Sequence, residues 1–416
     1  MKTRRDALLW ALASGLALLA VAYNGAGFYG LLFGSGTETT YPIDLRLRWI
    51  EGRLVVRGLD PQALGHPDPN LPPSHAPMGT MGGSYPPWAY TTGLLLAPPL
   101  GWAATRAYYA MVCMASLAAI GCWAYRLGAG SPPALRSCCV AGVLALFPFA
   151  ICISYGQYGV PIAACLAASL MALEAGRDGL AGLCLGVALV KPQLSGLFAL
   201  ALLIRGRFRA VAWAGLYVAL ATGVAWAAIG TDPLAMMRNT SREASRFWFL
   251  SHNPLVPLLA DRLGFSAMTL LLGVSGSLAC VLVAARSRDD RPQDLSRLFA
   301  ACAIISMFWS YRRHYDTVLL AFPVACLAYA CPGPGGWART AAYLLFGGSL
   351  WLPIRHTQWD SPVVSIGHAL VWSIGLILLA DGSPGAARWS LRSAARPRRP
   401  GHPSTRIGPR RESPWP

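Results

Sequence analysis

Charge is what this sequence has least of. Only 13% of its 416 residues are charged, against roughly 25% in an ordinary globular chain, while 55% are hydrophobic. A soluble protein of this length would show charged helix faces at a 3.6-residue period. Here apolar runs recur from Ala7 to Ala380 with short polar breaks, which is a membrane composition. Lysine occurs only at Lys2 and Lys191. The eleven cysteines sit in or beside apolar runs without a CxxC, so they read as small core residues and not as disulfides or ligands. Also missing are a Walker A lysine loop, a GxGxxG turn, an HExxH helix and any separate soluble nucleotide-binding domain. ATP and nucleotide-sugar mechanisms therefore lack a place to happen. No cofactor, no metal-ligand spacing and no nucleic-acid partner is expected.

What is present is a row of apolar segments separated by basic turns. The start MKTRRDALLWALASGLALLAVAY has a basic flank like a signal peptide, but its apolar stretch runs on towards Phe33 without a small-x-small cleavage site, so it reads as a retained first helix. Basic residues collect in cytoplasmic loops, which puts the N-terminus, the RGRFR turn at 205–209, the loop RSRDDRPQDLSR and the Arg-rich tail inside. The run GLAGLCLGVALVKPQLSGLFALALLI contains Pro192, and an interior proline loses a backbone hydrogen bond and clashes with the preceding turn. Two short helices meeting at Lys191-Pro192 on the outer side satisfy both the break and the charges. YPPWAYTTGLLLAPPLGW is too short and too broken to cross, and reads as interfacial or re-entrant. The expectation is an all-α, polytopic integral membrane helical bundle of about twelve crossings with both termini cytoplasmic. Residues 1–382 form the membrane domain, 34–103 its first outer loop with interfacial or re-entrant helices, and 383–416 a basic, disordered tail suited to the anionic inner leaflet.

In that frame a small set of polar groups gathers at the outer face, where ionisable side chains at a membrane edge read as functional by default. Asp44 follows the first helix. It suits either a catalytic base or a helix cap with an i,i+4 partner in Arg48; Glu51 and Asp60 read as structural. Lys191 sits between apolar helices, where an ammonium needs an anion nearby, either a phosphate or, by snorkelling, the interface. Gln157 in SYGQYG offers amide groups to a sugar hydroxyl, or is a plain turn residue. Arg312, Arg313 and His314 could hold a phosphate or act on a proton, or form an anchor belt with Tyr311 and Tyr315. Phe247, Trp248 and Phe249 suit either a lipid or sugar groove or an aromatic belt.

The segments YPIDLRLRWIEGRLVVRGLDP, YPPWAYTTGLLLAPPLG, ISYGQYGV, GLAGLCLGVALVKPQLSGLFALALLIRGRFRA, SHNPLVPLLADRLG and HYDTVLLAFP, in this order, resemble glycosyltransferase family 87. The resemblance implies the C-type glycosyltransferase architecture and a mannosyltransferase of the plasma membrane with its active site outside. It implies a polyprenyl-phosphate hexose donor and a glycan or glycolipid acceptor. It also implies that Asp44 is the base, that Lys191 contacts the donor phosphate and that His314 belongs to the outer rim of the site. Leu47 and Gln62 stand where the family often has tyrosine. A lipid phosphate is a good leaving group, so the chemistry needs a carboxylate to take the acceptor proton and cations to hold the phosphate. In-line attack inverts the anomeric carbon. The other classes to weigh are a transporter or flippase for a lipid-linked glycan and a catalytically silent assembly partner. Against the transporter stands the lack of an inverted repeat or of paired broken helices.

Overall fold

The computed structural model describes residues 2–34, 42–62, 85–246, 253, 255–286, 292–309, 313–330, 336–352 and 362–380. Every regular element among them is a helix. The N-terminal half runs α1 (Lys2–Phe33), α2 (Ile43–Val56), α3 (Pro87–Leu96), α4 (Trp102–Leu127), α5 (Pro133–Leu144), α6 (Phe147–Tyr155), α7 (Gly159–Glu174), α8 (Asp178–Ala188) and α9 (Pro192–Ile204). Then follow α10 (Phe208–Ile229), α11 (Pro233–Arg246), α12 (Leu255–Leu263), α13 (Phe265–Arg286) and α14 (Pro292–Ser306), a 3-10 helix (His314–Leu320), α15 (Ala321–Ala330), α16 (Gly336–Trp351) and α17 (Pro362–Ala380). Helices α3, α5, α9, α11, α14 and α17 each begin at a proline, whose fixed φ suits the first turn and whose missing N–H costs nothing there. Proline thus divides the apolar sequence into short pieces, and one of those divisions falls at Lys191-Pro192, between α8 and α9.

Several of the apolar helices mark a membrane protein. Asp6–Phe33, Trp102–Leu127, Phe208–Ile229 and Phe265–Arg286 are each long and apolar enough to cross, and the pair α5 and α6, bent by 42°, makes a fifth if taken as one span. The helices α7, α8 and α9 are apolar but shorter. A count of twelve crossings would need shorter helices such as α7, α8 and α9 to cross as well; among the described residues, length and composition alone support four or five. The long helices carry exposed Leu18, Val21, Leu220 and Leu270, side chains that a lipid environment would cover. Small residues set the close approaches between helices, as expected where packing and not water drives association. A Cβ at Gly182 on α8 would run into the Ala210 carbonyl of α10. Inside, Trp123, Phe198, Phe299 and Phe322 interlock, with Trp123 and Phe322 ring centroids 4.7 Å apart.

Residues 383–416, the first-loop stretches 35–41 and 63–84, the segment 247–252 with Phe247, Trp248 and Phe249, and Arg312 lie outside the described residues.

Candidate active site

Four separate parts of the chain meet at one end of the bundle: the start of α2, the turn after α6, the α8–α9 break and the 3-10 helix. The α6 turn shows how the sequence arranges this. Gly156 takes a left-handed φ of +73°, the Gln157 N–H returns to the Cys152 carbonyl at 2.9 Å and the Gly156 N–H to Ile153 at 3.0 Å, a glycine-ended helix of the kind the sequence SYGQYG allows. Any side chain at Gly156 would also collide with Leu45. The glycine therefore lets the turn lie directly on α2, one residue from Asp44. The Tyr109 hydroxyl, at 2.6 Å, and the Cys152 thiol then hold the Gln157 carbonyl.

The α8–α9 break is closed in a similar way. Lys191, with φ −122° and ψ 86°, lies outside the helical region, which a residue before proline avoids. The last carbonyls of α8 and the break are taken by Trp88 Nε1 on Leu189 at 2.7 Å and Ser195 Oγ on Ala188 at 2.8 Å, while Trp309 Nε1 donates to Gln193 at 2.6 Å. With its backbone fixed, Lys191 points inward and is only 4% exposed. Its Nζ donates to Gln157 Oε1 at 2.5 Å and to Asp316 Oδ1 at 3.3 Å, and stands 5.1 Å from the Tyr315 ring centroid. Burying an ammonium demands such partners.

Asp44 lies one amide further on. Gln157 uses its oxygen for Lys191, so its NH2 is left to donate to the Asp44 carboxylate, with which it hydrogen-bonds. Burial pushes Asp44 above the ordinary aspartate value; the Gln157 bond and the charges of Lys191, Arg48 and Arg313 oppose the rise without cancelling it. The cap reading of Asp44 does not hold: α2 starts from Pro42 with no side-chain cap, and Asp44 lies inside its first turn. Nor is Asp44 the close partner of Arg48. That guanidinium binds Glu51 Oε2 at 2.7 Å and lies over the Tyr85 ring at 4.1 Å, both acid and base being buried. A cavity with room for about one water molecule adjoins this pair, between Tyr85, Tyr90 and Tyr158. Asp60 serves the other end of α2, accepting from the Gln62 N–H at 2.8 Å and the Thr231 hydroxyl at 2.9 Å.

The 3-10 helix completes the cluster. Arg313 precedes it in extended form, His314 is buried with its ring edge-on to Tyr155 at 6.1 Å and to Tyr315 at 5.2 Å, and Asp316 Oδ2 accepts the Arg313 N–H at 2.8 Å. The structure thus brings together Asp44, Gln157, Lys191, Arg313 and His314. Asp316 is the residue that sequence reasoning passed over; the demand of Lys191 for a buried anion was the signal that could have found it. Among the described residues no group of three or more His, Cys, Asp and Glu is placed to hold a metal ion. An open cleft of about 550 Å³ lies at the opposite end of α7 and α8, beside Arg177, Arg209 and Trp213, and contains none of these groups.

Such an arrangement can take a proton from a hydroxyl at Asp44 and hold an anion at Lys191 and Arg313. A family model for glycosyltransferase family 87 matches residues 84–331, well over half of the chain and all of the cluster except Asp44, which lies ahead of the matched stretch. No curated protein matches the sequence.

Proposed function

The chain belongs to glycosyltransferase family 87, and from that premise we propose that it is a membrane hexosyltransferase that moves a hexose, mannose in the first instance, from a polyprenyl-phosphate donor to a glycan or glycolipid acceptor. Asp44 is the general base. Lys191, with Arg313 and the neighbouring Arg312, holds the donor phosphate, and His314 belongs to the rim. The observation that carries the reading is the Asp44–Gln157–Lys191 chain, which sets a carboxylate of raised pKa one amide away from a buried ammonium.

The chemistry follows from those positions. Ionised Asp44 accepts the acceptor hydroxyl's proton as the oxygen attacks the anomeric carbon; the bond to the phosphate oxygen breaks on the opposite side, and the lipid phosphate leaves with the electron pair. A phosphate needs no proton to depart, so cations suffice on that side. A base helps most when its pKa lies near the working pH, which is what burial of Asp44 favours. Gln157 occupies, between the two charges, bonds that a sugar hydroxyl and a phosphate oxygen would take over on binding. We place the site on the outer face of the plasma membrane, with twelve crossings and cytoplasmic termini, because the basic turn at 205–209 lies at the other end of α9 from the Lys191 break.

Membranes containing the full chain, given labelled polyprenyl-phosphate mannose or a labelled nucleotide mannose, test this. Transfer from the lipid donor alone, with an inverted anomer and abolished by Asp44→Asn at equal expression, is the expected result. Undiminished transfer by Asp44→Asn would remove Asp44 from the mechanism.

A further inference from the structure

Asp316 is not among the groups that would touch the substrates in the reading above, yet it is the buried anion closest to Lys191. We propose that Asp316 is a positioning residue: it holds Lys191 away from Asp44, so that the ammonium stays charged for the donor phosphate while the Asp44 carboxylate remains basic. This rests on the proposed roles of Asp44 and Lys191 and adds the group that keeps them apart.

The geometry supports this in three ways. First, Asp316 is itself fixed. Its Oδ2 accepts the Arg313 N–H at 2.8 Å and its own N–H returns to the Arg313 carbonyl at 3.0 Å, so the carboxylate is aimed by the backbone of the 3-10 helix and its Oδ1 is left facing Lys191 at 3.3 Å. Second, the Lys191 and Asp316 side chains are each only 5% exposed, so water does little to screen the pair. Third, the group between Lys191 and Asp44 is a neutral amide, Gln157, and not a direct ion pair. A flexible four-carbon stem carrying a buried charge goes to the nearest carboxylate. With Asp316 in place that carboxylate is Asp316; without it, the next anion is Asp44. Among the described residues, the charged and titratable groups acting on Asp44 are Arg48 on its own helix, Lys191 at the α8–α9 break, Arg313 ahead of the 3-10 helix and Tyr85 ahead of α3. Of these, Lys191 is the one whose side-chain charge pairs with Asp316, Arg313 being bound to it through its backbone.

Two readouts test it on the full chain in detergent or membranes. Infrared titration of the Asp44 carboxyl, identified as the band lost in Asp44→Asn, needs no substrate. Asp316→Asn should move that titration to lower pH, Asp316→Glu should restore it, and Lys191→Met/Asp316→Asn should abolish the downward shift because no ammonium remains to move. The double variant also removes both members of the pair, which serves where Asp316→Asn folds poorly. In the transfer assay with polyprenyl-phosphate mannose, Asp316→Asn should shift the acid limb of the rate to lower pH and cut kcat by about threefold to thirtyfold. A merely structural role would lower the yield of folded protein and leave the Asp44 titration where it was; that result, or an equal shift in the double variant, overturns the inference. If no mannose is transferred by the unaltered chain, the proposed reaction fails, and the infrared titration still decides the role of Asp316.

Discussion

Two buried ion pairs flank Asp44, and they are built in opposite ways. Arg48 and Glu51 lie three residues apart on one helix and meet at 2.7 Å, whereas Lys191 and Asp316 are 125 residues apart and meet at 3.3 Å. The first pair forms as soon as α2 does and is covered when Tyr85 closes over it at 4.1 Å. The second exists only once the α8–α9 break, the α6 turn and the 3-10 helix have come together. The local pair therefore belongs to the stability of α2 on the bundle, and the distant pair to the assembly of the site. A buried pair is weak evidence for stability on its own terms, since desolvation offsets most of the attraction, but breaking one by removing a single partner is costly.

That contrast predicts different losses. Glu51→Gln leaves the Arg48 charge buried without its acid and should destabilise the protein by about 3–5 kcal/mol, while Arg48→Met together with Glu51→Leu should come close to neutral; thermal unfolding in detergent measures both. Lys191→Met should spare more of the folded protein but lower kcat/KM for the lipid donor by about 10²–10³, the loss expected when a preorganised charge is withdrawn from a developing anion. If the two variants exchanged their effects, the division between a local structural pair and a distant functional one would be wrong. At the far end of the bundle, Arg177 is exposed beside the open cleft, and Arg177→Ala should change stability by no more than about 0.5 kcal/mol and leave transfer alone.

The same division explains what could be read from the sequence. Pro192 announces the α8–α9 break because its chemistry is local, and prolines mark the starts of α3, α5, α9, α11, α14 and α17 for the same reason. Asp44, Gln157 and Lys191 stood out as polar groups at the ends of apolar runs, and they do converge. Partners were harder. Arg48 has acids within helical reach on both sides, at i−4 and i+3, and only the burial of Glu51 with it decides between them. Asp316 is hidden because its meaning depends on a lysine 125 residues away, a relation no periodicity encodes. The number of crossings was the least legible feature, since apolar helices such as α7, α8 and α9 are shorter than an ordinary span and length and composition do not decide whether each crosses.

The central claim is that a half-buried, ionisable Asp44 takes the acceptor's proton, and the pH dependence of transfer from polyprenyl-phosphate mannose tests it most directly. Asp44 works only when ionised, and burial raises its pKa in the folded protein, so the rate should be low in acid and climb through an inflection above the ordinary aspartate range. Asp44→Asn should lose both the rate and that inflection. A rate that stays flat from the ordinary aspartate range upward, or an inflection that persists unchanged in Asp44→Asn, would contradict the account.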